Sequence, residues 1–217
     1  MKIFQSLRIF TLILSLFLAM PYAMAQHDSY DISKDPVLPK LPGQKYTEKS
    51  HPTPNYDADK VNTVKGVILH QTAEPTAARS LDVLTNSPRH VGTHVVIDYD
   101  GTRYVMCSPE TVTYHAGPSI LNGLEGCNNF TVGIEFQGNT CEAPLTEDQI
   151  KSGVEYLLPI IAKYKIDVNK WVVTHEMVRV AYKKKYPRSR CYGKVDITQE
   201  EYKRFMTALN AALGNSR

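Results

Sequence analysis

The chain has 217 residues, with 25 Lys and Arg against 22 Asp and Glu and a formal net charge of +3. So even a balance gives no electrostatic case for nucleic-acid binding, which rests on neutralising phosphates. The length suits one domain with a sizeable core.

The N-terminus reads as a targeting segment. Lys2 and Arg8 precede the apolar run 9–20, and Ala23-Met24-Ala25 supplies a small-x-small cleavage pattern, so residues 1–25 are expected to be a signal peptide. The apolar run is short for a membrane span and no later one approaches that length, which predicts a soluble periplasmic or secreted protein with no membrane span after cleavage. Cys107, Cys127, Cys141 and Cys191 all follow the leader, so an exported chain has the thiols for up to two disulfides, with pairing left open. Residues 26–59 carry Pro36, Pro39, Pro42, Pro52 and Pro54 and predict an extended arm or linker, partly laid on the domain. The folded domain is expected over 60–217.

Within that domain the apolar run Val64 to His70 predicts a buried strand, and Thr76 caps a helix with Ala77, Leu81 and Leu84 inward, stopped at Asn86-Ser87-Pro88. Thr93 to Met106 places Asp100-Gly101 between two β-rich runs, a hairpin signal. Phe130 to Gln137 predicts another strand. Thr146 and Gln149 form a capping box ahead of a helix with Ile150, Val154, Leu157, Leu158 and Ile161 on one stripe. A strand then runs into His175, followed by a long basic loop from Val178 to Arg190. The last helix spans about Gln199 to Leu213, with Tyr202, Phe205, Met206, Leu209 and Leu213 inward. Interleaved strands and helices predict a single α/β domain, a central mixed β-sheet flanked by α-helices.

The candidate chemistry lies where those strands end. His70 and His175 each stand at a junction of buried strand and loop, and neutral imidazole is a common zinc donor. Asp196 adds an anionic oxygen, completing a His, His, carboxylate set that leaves a fourth position open. Glu135 interrupts an apolar strand and by alternation shares a face with Gly133 and Gln137, a placement that suits a general base beside a metal. His115, in a loop, is a candidate for substrate contact. Lys194, two residues before Asp196, is a candidate for stabilising an oxyanion.

The stretches ILHQTA, DGTRYVM, TYHAG, GCNNFTVGIEFQG, LTEDQ, VVTHE and GKVD follow one another as they do in the zinc-dependent N-acetylmuramoyl-L-alanine amidases. More narrowly, the chain resembles the amidase type 2 group, which includes phage amidase-type lysozymes and peptidoglycan recognition proteins, over roughly Asn55 to Leu213. The resemblance implies that fold, one Zn2+ per chain on His70, His175 and Asp196, Glu135 as catalytic base and Lys194 at the oxyanion. It also implies substrate contacts at His115, Asn128 and Asn129. Asp196, rather than Cys191, matches the family's third ligand. The activity implied is cleavage of the amide between N-acetylmuramic acid and L-alanine in peptidoglycan or its muropeptides, outside the cytoplasm, by a monomer. Two alternatives share the motifs: a recognition module that binds peptidoglycan without cutting it, and a secreted antibacterial toxin paired with an immunity protein. One departure stands out. Where the family reads Pro-Gly-Arg, this chain runs from Ala181 to Arg188 through three consecutive lysines, a basic loop expected to border the cleft.

Overall fold

A computed structural model describes residues 31–189 and 196–214. The strand expected from Val64 forms as β3 (Gly66–Gln71), fully buried and parallel to both β9 (Thr131–Phe136) and β10 (Val172–Thr174). Complete burial is what a strand with parallel neighbours and two covered faces requires. β4 (Val95–Ile97) runs parallel to β9, and β5 (Arg103–Val105) returns antiparallel to β4. Gly101 turns that hairpin at φ +81°, a backbone state that side chains resist. The edge is β1 (Glu48–Ser50), parallel to β5, giving the order β1-β5-β4-β9-β3-β10. The proline-rich segment is therefore not only an arm: residues 48–50 belong to the central sheet. Beyond them, β2 (Tyr56–Val61) pairs with β6 (Thr111–Thr113), and β7 (Ile120–Leu121) with β8 (Leu124–Glu125).

Alternation gives the sheet two unlike faces. Val67 and Leu69, Val95 and Ile97, and Val132, Ile134 and Phe136 point into the main core. That core is closed by α2 (Glu147–Tyr164), which begins at the Thr146–Gln149 capping box, and by α5 (Gln199–Gly214). Phe136 meets Phe205 edge-on there, 5.6 Å between ring centres. The opposite face carries two smaller clusters. One joins Val96, Tyr104 and Met106 to Leu81 and Leu84 of α1 (Ala77–Asn86). The other joins Ile68 to Ala116, Cys127, Phe130 and Val178. Polar residues of β3 and β9 open onto this second face.

The segment expected as a basic loop is largely helix. After the short α3 (Val168–Trp171) and β10, α4 (His175–Lys185) starts at Thr174, whose hydroxyl accepts from Met177 N. Lys183, Lys184 and Lys185 fill its last turn, where cations complement the helix dipole. Lys185 and Tyr186 both bond Glu125, at 2.5 and 2.7 Å, so part of the basic run ties α4 to β8.

The disulfide expectation is corrected among the described residues. Cys107, Cys127 and Cys141 are free, and any two-bridge framework needs a pair among these three. Cys127 instead fills the second apolar cluster as a small hydrophobe. Cys191, the signal peptide 1–25 and Lys194 lie outside the described residues. No helix among those described is long and apolar enough to cross a membrane.

Candidate metal centre

Strand register brings the site together. His70 and Glu135 are direct partners in the β3–β9 ladder, near the carboxyl ends of two parallel strands. In the neighbouring ladder Thr174 pairs with Leu69, so His175, the next residue, emerges beside His70. Crevices outside the carboxyl ends of parallel strands are the usual ligand sites of such sheets. Asp196 reaches the same point just before α5. Its Oδ1 accepts from Gln71 N at 2.8 Å and from Ile197 N at 3.2 Å, which pins the carboxylate to the residue after His70.

One atom each from His70, His175 and Asp196 lies within 4.8 Å of the others. His175 Nδ1 is 3.1 Å, and His70 Nδ1 3.7 Å, from Asp196 Oδ2. That oxygen is buried and has no hydrogen-bond donor among the described residues. A donorless buried carboxylate oxygen facing two imidazole nitrogens is a poor structural contact and a good cation site, since buried charge needs a partner. The two nitrogen and one oxygen donors also match the chemistry of a zinc centre. Glu135 stands alongside, 13% exposed, with Oε1 4.0 Å from His70 Nδ1. It shares the second face with Gly133 as alternation predicts.

These groups open into a cleft of about 720 Å³, walled by α1 on one side and α4 on the other. Arg79, Arg89 and Arg179 line it, while Lys183, Lys184 and Lys185 do not. Arg79 is engaged by Asp82 at 2.7 Å. Arg179 was missed in the sequence because its segment read as loop; on a helix it falls one turn after His175, on the same face.

The three expected substrate residues behave differently from one another. His115 lines the cleft but is only 8% exposed, and its ring lies against His70, with Nδ1 3.1 Å from His70 Nε2. Burial foremost, with His94 and His175 nearby, holds it well below the ordinary histidine range and hence neutral. Asn128 is turned inward: its Oδ1 accepts from Ala116 N at 2.7 Å, and Ala116 O lies 3.1 Å from His175 Nε2. Asn129 is spent on its own turn, donating to Gly126 O at 3.0 Å. Asn128 thus ties the 3₁₀ turn Cys127–Asn129 to the loop carrying His115 and Ala116, Asn129 bonds within its own turn, and neither is among the residues lining the cleft.

Comparison with known proteins points the same way as the geometry. The family model described as N-acetylmuramoyl-L-alanine amidase matches residues 60–192. A 1,6-anhydro-N-acetylmuramyl-L-alanine amidase of Haemophilus influenzae is 34% identical over 87 residues, which is 39% of this chain and 46% of that protein, so the match spans about half of the relative. Among solved structures, a selenomethionine derivative of AmpD superposes with a TM-score of 0.58 at 20% identity, covering 79% of this chain and 99% of that one. An endolysin N-acetylmuramoyl-L-alanine amidase from Clostridium intestinale gives 0.51 at 22% identity, covering 75% and 95%. At these identities the structural likeness is one of fold.

Proposed function

This chain belongs to the N-acetylmuramoyl-L-alanine amidase family, and from that premise we propose that it is a zinc hydrolase. The bond cut is the amide between the lactyl group of N-acetylmuramic acid and L-alanine in peptidoglycan or its muropeptides. The observation that carries the reading is the facing of His70 Nδ1, His175 Nδ1 and the donorless Asp196 Oδ2, with Glu135 beside them.

His70, His175 and Asp196 would hold the zinc. The chemistry a bound zinc supplies is polarisation of the scissile carbonyl and acidification of water. Glu135 takes the proton of the attacking water and returns it to the departing L-alanine nitrogen, so the amide C–N bond breaks as a carboxylate and an amine form. Its position against His70, mostly withdrawn from solvent, suits that role. Lys194 donates to the carbonyl oxygen as negative charge builds there. The cleft arginines add positive charge where a stem peptide bearing carboxylates enters. The leader-like residues 1–25 support export to the compartment that holds peptidoglycan, where the protein acts as a monomer. A recognition module without catalysis would have no use for a base beside a full ligand set.

The test is mass spectrometry of products from intact sacculi and from soluble anhydro-muropeptides. Free stem peptides beginning at L-alanine are expected, and products that all keep stem joined to sugar would overturn the reading. Metal analysis should find close to one zinc per chain, lost in His175→Ala and kept in Cys191→Ser.

A further inference from the structure

His115 reaches His70 through a space made for it. Its ring lies against β9 where Gly133 has no side chain; a Cβ there would stand 2.7 Å from His115 Cγ and Nδ1. The glycine is needed for close approach rather than for backbone freedom. The far nitrogen of the ring, Nε2, lies 3.3 Å from Thr131 O and 3.3 Å from Thr131 Oγ1. A carbonyl oxygen only accepts, and the Thr131 hydroxyl gives its own proton to Cys127 O at 2.7 Å. Nε2 of His115 therefore carries the hydrogen, and the neutral ring presents a lone pair at Nδ1. His70 Nε2, 3.1 Å away, must donate to that lone pair. The proton of a neutral His70 is then at Nε2, and its Nδ1 carries the ring's lone pair, 3.7 Å from Asp196 Oδ2.

We infer that His115 is a positioning residue that holds His70 in its Nε2–H tautomer, so that Nδ1 is the ligand atom. The next residue does the same for the second histidine. His175 Nε2 donates to Ala116 O, a carbonyl whose peptide is pinned through Ala116 N by Asn128. Two consecutive residues of one loop thereby set both imidazoles. Groups that hold a ligand histidine in this way raise metal affinity by fixing tautomer and ring orientation.

The inference rests on the zinc reading of the site, so its test separates the two. Long-range proton–nitrogen NMR of the nitrogen-labelled, metal-free full chain reports each imidazole tautomer directly. His70 is expected as the Nε2–H form in the parent protein and in His115→Asn, whose Oδ1 stands near the lost Nδ1 and still accepts. In His115→Leu, which has no acceptor, His70 should lose that preference. Competition with a chelator should show zinc bound about ten- to a hundredfold more weakly by His115→Leu, and close to normally by His115→Asn. An Nδ1–H form of His70 in the parent protein overturns the inference, as does a His115→Leu protein with both tautomer and zinc affinity unchanged. Should the parent take up no zinc at all, the metal reading falls while the tautomer measurement still decides this one.

Discussion

Arg103 and Asp196 are both charged and both buried, 2% and 0% exposed, yet their surroundings differ in kind. Arg103 is closed in. Its guanidinium lies 2.9 Å from Glu48 Oε1 and 3.0 Å from Glu155 Oε1, and donates to Ser152 O at 3.0 Å. Those contacts clamp β1 and α2 onto β5, so every charge serves the fold. Asp196 is closed on one side only. Backbone donors hold Oδ1, while Oδ2 faces imidazole nitrogens and no donor among the described residues. Buried polar groups in native proteins are nearly always partnered. Asp196 Oδ2 is among the few buried side-chain atoms of the described residues without a hydrogen bond, and its nearest polar neighbours are two imidazole nitrogens, the setting of a cation site.

The sharpest break is at the open side. Glu135→Gln preserves shape and should keep zinc, yet lower kcat by about 10²–10⁴-fold, the usual worth of a general base. Steady-state turnover with metal analysis of the same sample checks this, and near-normal turnover would remove Glu135 from the chemistry. At the closed cluster the expected effect is on stability. Arg103→Met strands two carboxylates that are 20% and 23% exposed. Losing one partner of a buried ion cluster costs about 3–5 kcal/mol, here toward the lower end because both acids touch water. Urea unfolding measures it, and zinc affinity should be unaffected.

His94 sharpens the contrast from a third position. It is fully buried with both nitrogens engaged, Nδ1 accepting from Gly133 N at 2.9 Å and Nε2 donating to Thr111 O at 3.0 Å. Burial, only partly opposed by Thr111 O and Glu110, pushes it down to about 4 from an ordinary 6.5. The unfolded chain therefore binds its proton first. The stability it contributes is complete above pH 6.5 and is lost as pH falls toward 4, about 3 kcal/mol at 1.36 kcal/mol per unit. Zinc-free protein unfolded in urea at successive pH values should show that slope, and His94→Gln should flatten it. The smallest effect belongs to Glu110, which Lys163 and Tyr164 hold at about 2. Its contribution is present above pH 4.5 and fades as pH falls toward 2. Because the pair is largely exposed, Glu110→Gln should cost under about 1 kcal/mol. A larger loss would mean that this surface cluster behaves more like the Arg103 clamp.

Strongly local signals were legible. Thr146 and Gln149 form the capping box that their spacing predicts, Asp100-Gly101 turns a hairpin, and Glu135 shares a face with Gly133. Signals that depend on distant packing were not. β1 is three residues long in a proline-rich stretch, with no periodicity to reveal it, and becomes a strand only because β5 offers it an edge. α4 buries Val178 alone, so it lacks the apolar stripe by which a helix is recognised. Its N-cap and its terminal lysines sustain it instead. The bond from Ala116 N to Asn128 Oδ1 spans twelve residues, so no local pattern announced it.

The sequence by itself determined which kinds of atom meet at the site, because a ligand set is a matter of residue type and order along the strands. His70, Glu135 and His175 stand at or just past strand ends that hydrophobic alternation alone defines. Only the tertiary structure decided which nitrogen of each imidazole faces Asp196. That choice depends on acceptors 45 and 59 residues away along the chain, His115 for His70 and Ala116 for His175. No local pattern encodes it, since a hydrogen bond of about 3 Å across two packed elements exists only once both elements are in place.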